Sequence, residues 1–224
     1  MRPLRLLLIP VFLLFLSPLD AQNFEKYYAQ FPAPEGMYEL PVEQLVISDA
    51  EDKSAAYIKM GSFGDKLMLS GDEMASFYKA ENAEGRESYY FPVLSMYGDM
   101  ADRRIPTVVI GEFTPDESEA DNEIDADEGV WRFHMISYNA KGEQLDHETV
   151  LSIEGENYPY KVKGEIVQRV PGTLTTIRKV NRIEGLKLAP QERQKLAPKA
   201  VVKVWTIDKE NGEIAMMNKE TRNL

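Results

Sequence analysis

The chain has 224 residues, with 26 Lys and Arg against 37 Asp and Glu, and it contains no Cys. The missing Cys excludes disulfides, thiol catalysis and thiolate metal sites. The net charge of −11 argues against a nucleic-acid partner, because nucleic-acid binding needs a basic footprint.

The N-terminus has the layout of a secretory signal peptide. Arg2 and Arg5 precede an apolar run from Leu6 to Leu16, and a short polar exit ends at Ala21. The run is too short to span about 30 Å of hydrocarbon. We therefore predict a signal peptide over residues 1–21 and export to the periplasm or the extracellular space. The mature chain is predicted to have no transmembrane segment.

The N-terminal half of the mature chain shows short strand signals. Residues 23–31 fit either a short amphipathic helix or an extended lead-in. Ser70 and Glu73 form a capping box that predicts a short helix over residues 72–80. Strands are predicted at 40–48, 55–60, 66–70, 88–97 and 106–113. Pro92 places its strand at a sheet edge or a bulge, because proline cannot donate to a ladder.

The C-terminal half reads as three hairpins. Residues 130–138 pair with 144–153 across a turn at Gly142, and residues 158–170 pair with 173–180 across Pro171 and Gly172. Residues 201–208 pair with 213–217 through Asn211 and Gly212. In the tightest register of the second hairpin, Ile166 is opposite Ile177 and Glu165 is opposite Arg178.

Together these signals predict a mainly β fold. We expect an antiparallel meander of hairpins that forms a barrel or a sandwich, with one or two short helices. Residues 22–224 form a single β-rich domain in this interpretation. Hairpins leave little room for crossovers, so a parallel fold is not expected.

An acidic segment over residues 112–129 interrupts the strand pattern. Nine carboxylates and no Lys or Arg lie between Glu112 and Glu128. The segment fits a flexible solvated loop, a divalent-cation site or a surface that docks on a basic partner. Calcium is the ion to expect, although the spacing does not match an EF-hand. The candidate ligands are Asp121, Asp125, Asp127 and Glu128.

The two histidines lie in the first C-terminal hairpin. If Asn139 pairs with Glu143, then Trp131 is opposite Leu151 and the apolar residues share one face. In this register His134 and His147 lie on opposite faces, which disfavours a shared metal. His134 lies beside Glu148 and could form a titrating pair with it.

Charge differs between the two parts of the chain. Residues 22–160 carry 10 basic and 29 acidic residues, whereas residues 161–224 carry 14 basic and 7 acidic residues. The parts either neutralise one another in one fold or form a charged binding face. In the second case the candidate anion contacts are Lys161, Lys163, Arg169, Arg178, Lys179 and Arg182.

No catalytic motif is found, so we interpret the chain as an exported, non-catalytic binding or interaction protein whose ligand or protein partner is unknown. Two alternatives stay open. The aromatic residues could line a barrel that carries an apolar small molecule, or paired carboxylates could serve a hydrolase. No cofactor is expected other than calcium.

Overall fold

The computed structural model of the protein describes residues 17–32, 36–40, 44–46, 57–59, 65–78, 88–96, 105–115, 129–154, 160–170, 172–182, 189–191 and 198–224. This part of the chain is mainly β with two short helices, which confirms the predicted fold class. The sheets are arranged as a sandwich, and the described strands do not close into a barrel.

The helices are α1 (Ser17–Tyr28) and α2 (Gly71–Phe77). The strands are β1 (Gly36–Leu40), β2 (Gln44–Val46), β3 (Tyr57–Lys59), β4 (Asp65–Leu67), β5 (Tyr89–Ser95), β6 (Thr107–Pro115), β7 (Gly129–Tyr138), β8 (Gln144–Glu154), β9 (Tyr160–Val170), β10 (Thr173–Arg182), β11 (Lys199–Ile207) and β12 (Ile214–Asn223).

The strands form three antiparallel sheets. A five-stranded sheet has the order β1-β9-β10-β11-β12, a four-stranded sheet has the order β5-β6-β7-β8, and β2-β3-β4 form a small third sheet. Apart from β1, neighbouring strands follow one another along the chain, as a meander predicts. Residues 40–48, predicted as one strand, supply parts of both β1 and β2, which lie in different sheets.

The main core lies between the five-stranded and four-stranded sheets. Phe91, Trp131 and Phe133 from one sheet and Leu174 and Trp205 from the other belong to a single buried cluster. The strand pattern alternates so that these side chains point inward. Burial of large aromatic side chains dominates the stability of such a core.

A second core covers the opposite face of the four-stranded sheet. Phe24 and Tyr27 of α1 and Met74 of α2 pack there against Ile110 and Tyr138 of the sheet. The predicted capping box holds the start of α2, where the Ser70 hydroxyl accepts from the Glu73 amide and the Glu73 carboxylate accepts from the Ser70 amide. The four-stranded sheet is therefore buried on both faces.

Beta-bulges change the predicted hairpin registers. Tyr138 faces Gln144 as predicted, but bulges after Ser137 and after Phe133 each move the β7–β8 pairing by one residue. Trp131 consequently faces Ile153 rather than Leu151. The shift after Ser137 exchanges the paired faces and the shift after Phe133 restores them, so Phe133 and Trp131 keep apolar partners in Leu151 and Ile153.

The β9–β10 hairpin shows the same effect. Thr173 faces Val170, but a register shift follows, so Ile177 faces Glu165 and Arg178 faces Gly164. The predicted Glu165–Arg178 cross-strand pair is therefore wrong, because Glu165 lies opposite Ile177, one residue earlier in β10.

The turns that connect the two strands of each C-terminal hairpin depend on glycines in the left-handed conformation. Gly142, Gly172 and Gly212 have φ values of 84°, 79° and 83°, where an L-side chain is strained. The edge position predicted from Pro92 is also confirmed, since β5 is an outer strand with a bulge between Pro92 and Leu94.

Candidate functional site

The predicted calcium ligands cannot be placed. Asp121, Asp125, Asp127 and Glu128 lie outside the described residues, so the calcium site stays a prediction. The acidic segment is shorter than predicted, because β6 continues through Pro115 and β7 begins at Gly129. Its first carboxylate, Glu112, is a strand residue and not a loop residue.

Glu112 belongs to a buried polar cluster on the outer face of the four-stranded sheet. Its Oε2 lies 2.8 Å from His134 Nε2, and the Tyr90 hydroxyl donates to its Oε1 at 3.3 Å. His134 Nδ1 lies 3.2 Å from the Thr149 hydroxyl. Glu112 and His134 are 7% and 5% exposed, whereas Thr149 reaches the surface. Both ring nitrogens and both carboxylate oxygens are thus engaged.

The cluster keeps Glu112 ionised. Burial by itself raises the pKa of this carboxyl, but the hydrogen bonds from His134 and Ser88 and the electrostatic attraction of His134 and Arg132 outweigh it and lower the pKa below 4.5. Burial and the same carboxylate raise the pKa of Tyr90 to about 12, so its hydroxyl stays a donor. This arrangement favours an ionised Glu112 carboxylate next to a Tyr90 hydroxyl that keeps its proton.

The histidine predictions are wrong because of the bulge after Ser137, where Leu145 is the extra residue in β8. In the observed register His134 faces Thr149 and His147 faces Ile136, which places both histidines on the same face. The Tyr78 ring lies 5.4 Å from His134 and 6.1 Å from His147, measured between centroids. The acidic partner of His134 is Glu112 rather than the predicted Glu148. No group of three metal-binding side chains forms among the described residues.

The predicted cationic cluster is split by the sheet. Lys163 and Lys179 are directly opposite each other in β9 and β10, and Lys179 forms an ion pair with Glu165. Arg178, next to Lys179 in the strand, points to the opposite face. The side chains of Lys161, Arg169 and Arg182 lie outside the described part. Anion binding by the six predicted cationic residues stays a prediction.

A free sheet edge is the most accessible feature of the described structure. Strand β12 is the last strand of the five-stranded sheet, and in the described part of the chain it pairs with β11 alone. Every side chain from Ala215 to Leu224 is exposed, including Met217 at 68% and Leu224 at 57%. We call residues 218–224 the free edge.

The backbone of the free edge presents donors and acceptors outward. The Leu224 amide donates to the Pro198 carbonyl at 3.0 Å, so its N–H points toward the neighbouring strand β11. Backbone groups alternate along an antiparallel strand, and the β11–β12 register is unbroken from Asn218 to Asn223. Lys219, Thr221 and Asn223 therefore direct their N–H and C=O groups away from β11.

Two opposite charges share one face of the free edge. Glu220 and Arg222 form an ion pair of 2.8 Å. This contact lowers the pKa of Glu220 and raises the pKa of Arg222, so both are charged over the whole physiological range. Charges on edge strands usually discourage indiscriminate pairing. A β-bulge at Met217 separates this segment from the core half of the strand.

The free edge was missed in the sequence because its pattern is not that of a strand. Residues 218–223 are polar on both faces, whereas a half-buried strand alternates. The only usable signal is the continuation of a hairpin whose partner, residues 199–207, is strongly β-branched.

Comparisons of the chain with protein-family models, with curated proteins and with solved structures find no match.

In the part of the chain that the structure describes, no helix has the length and apolar character needed to cross a membrane.

Proposed function

We propose that the protein is an exported, non-catalytic binding protein that engages a protein partner along the free edge. The main supporting observation is that the polar strand residues 218–223 have, at every second position, outward-facing backbone groups that are unpaired in the described structure. An extended segment of another chain can add to such an edge through main-chain hydrogen bonds, and side chains then supply specificity.

Export is supported by the position of the packed residues in the first helix. The buried side chains Phe24, Tyr27 and Tyr28 all follow the predicted cleavage site after Ala21. Removal of residues 1–21 therefore leaves the aromatic contacts with the four-stranded sheet in the mature chain. A fold that needs no disulfide is stable in either an oxidising or a reducing compartment.

Non-catalytic action is supported by how the buried acid is used. Glu112 and His134 pair with one another and contact Tyr90 and Thr149, so each of their polar side-chain atoms already has a partner within the protein. The apolar-carrier alternative is disfavoured, because the described strands form no barrel and large side chains fill the space between the sheets.

The proposal is tested by site-specific photo-crosslinking in the cells that produce the protein. A photoreactive residue replaces Lys219 in the free edge or, as a matched control, Lys141, an exposed lysine in the β7–β8 turn. Cross-linked species are identified by mass spectrometry. We expect a defined protein partner from position 219 that is absent from position 141.

Thr221→Pro supplies the specificity control. It removes an outward N–H while the ladder with β11 keeps its hydrogen bonds, and proline is tolerated on the open side of an edge strand. The cross-link from position 219 should disappear in this variant. Equal cross-linking from positions 219 and 141, or a cross-link that survives Thr221→Pro, contradicts the proposal.

One observation favours a second candidate function, hydrolysis. The exposed Thr149 hydroxyl contacts a histidine that a buried carboxylate orients, which is the geometry of an activated nucleophile. Labelling by a fluorophosphonate at Thr149 that is lost in His134→Gln would establish it. Unlabelled protein under the same conditions removes this candidate.

A further inference from the structure

We propose that the free edge pairs with the free edge of a second copy of this chain, around a two-fold axis at Thr221. This inference rests on the proposed function, since it names the partner that the same edge accepts. It is carried by the direction of the backbone groups and by the order of the charges along residues 218–224.

Symmetry limits the possible pairings. Two identical antiparallel strands in one sheet are related by a two-fold axis perpendicular to the sheet, so one residue of each copy must lie opposite its own counterpart. Each register is therefore defined by its central residue. Thr221 points its backbone groups outward, so a Thr221-centred register makes a closely hydrogen-bonded pair at the axis.

Charge selects among the registers. Centring on Lys219, Glu220 or Arg222 sets two like charges directly opposite each other, which destabilises an antiparallel pair. Centring on Thr221 sets Glu220 of each copy opposite Arg222 of the other. The ion pair that already exists within each copy then joins the other copy's pair in a ring of four alternating charges.

The backbone completes the match. In the Thr221-centred register, Lys219 of each copy lies opposite Asn223 of the other, and both residues have outward-facing backbone groups. All three outward positions of the free edge therefore find partners. The contact is short compared with a standard interface of about 1,600 Å², so we expect a weak dimer whose population rises with protein concentration.

The absence of Cys from the chain permits a clean cross-linking test. Hydrogen-bonded antiparallel residues have Cα atoms about 5.5 Å apart, which is within disulfide range. Thr221→Cys should therefore give a disulfide-linked dimer on mild oxidation. Lys219→Cys and Asn223→Cys are equally exposed controls, but their copies lie about 14 Å apart, four residues along the strand.

We expect the Cys variants to differ in how much disulfide-linked dimer each one forms. Thr221→Cys should form at least about tenfold more dimer than either control, since only its thiols fall within disulfide range. Mixing Lys219→Cys with Asn223→Cys should restore cross-linking as a heterodimer. Equal dimer from all three single variants indicates random collision and overturns the inference, as does a Thr221→Cys chain that stays monomeric.

Charge exchange tests the register independently of the thiols. In the Thr221→Cys background, Glu220→Arg should reduce dimer yield by about tenfold because it sets cations opposite each other. Adding Arg222→Glu should restore it, because the ring of alternating charges is rebuilt in the opposite order. Reduced yield in both the single and the double variant contradicts the Thr221 register.

Failure of this inference can be told apart from failure of the proposed function. A chain that stays monomeric with Thr221→Cys, but cross-links a different protein from position 219, retains the free edge as a binding surface and loses the second copy as its partner.

Discussion

Gly111→Ala provides the sharpest test of the packing that positions the Glu112 cluster. Gly111 lies directly opposite Phe91 in the β5–β6 pair, and a Cβ on Gly111 would come within 2.1 Å of the Phe91 ring. The ring is fully buried and makes edge contacts with Trp131 and Phe133 at centroid distances of 5.8 and 6.2 Å. It therefore has no free space into which to move.

The size of the effect follows from this overlap. Adding a methyl group to a packed core costs about 1–3 kcal/mol, and a clash with a locked aromatic ring belongs at the upper end. We expect Gly111→Ala to lower the free energy of unfolding by about 3 kcal/mol. For a chain of this size, that corresponds to a fall in Tm of roughly 6–12 °C.

Urea and thermal unfolding followed by circular dichroism measure this change, with Gly71→Ala as the matched control. A Cβ on Gly71 meets nothing within 4 Å at the start of α2, so the control should be neutral or stabilised by up to about 1 kcal/mol. Phe91→Leu should recover part of the loss in the Gly111→Ala chain, because the two residues are in contact. Equal stability of Gly111→Ala and the unchanged protein would refute the β5–β6 register.

Three further predictions concern charge and processing. Ionised Glu112 stabilises the fold above the pKa of its unfolded state, and this contribution is lost as the pH falls below 4.5 through the lowered pKa of the folded state. Glu112→Gln should therefore lower the free energy of unfolding at pH 7 by about 1–3 kcal/mol and weaken the dependence of stability on acid. An unchanged pH profile contradicts the stabilising role of the Glu112–His134 pair. Calorimetric titration distinguishes the alternatives for the acidic segment: calcium binding that is lost when Asp125 and Asp127 are both replaced by Asn supports the cation site, and no heat at millimolar calcium leaves the segment without a metal role. Intact mass spectrometry of the exported protein should give a chain that begins at Gln22, and a chain that retains Met1 contradicts cleavage.

The fold class could be predicted because turn chemistry and capping are local. Gly142 and Gly212 mark turns that need left-handed backbone, and Ser70 with Glu73 marks a helix start. These signals depend only on residues within a few positions of one another. They were sufficient to predict the hairpins, the helix α2 and the edge position of the strand that contains Pro92.

The site could not be predicted because bulges and burial are set by tertiary packing. A single extra residue at Leu145 turns His134 and His147 toward the same face, and no sequence signal marks that insertion. Glu112 was hidden for a different reason. It begins a run of carboxylates, so composition indicated a solvated loop, although its cross-strand neighbours bury it.

The free edge escaped detection because its side chains carry no burial pattern. Strand prediction relies on one apolar face, but Lys219, Glu220 and Arg222 are solvated on both faces of β12. Their strand geometry comes from hydrogen bonds to β11 alone.

The most direct test of the free edge is residue-resolved amide hydrogen exchange by NMR in dilute protein. We predict slow exchange at Asn218, Glu220 and Arg222, whose amides face β11, and fast exchange at Lys219, Thr221 and Asn223, whose amides face outward. Raising the protein concentration should then slow exchange at the three outward positions. Uniform protection along residues 218–223 in dilute protein would show that another part of the chain already covers the edge, which contradicts its role as a free binding surface.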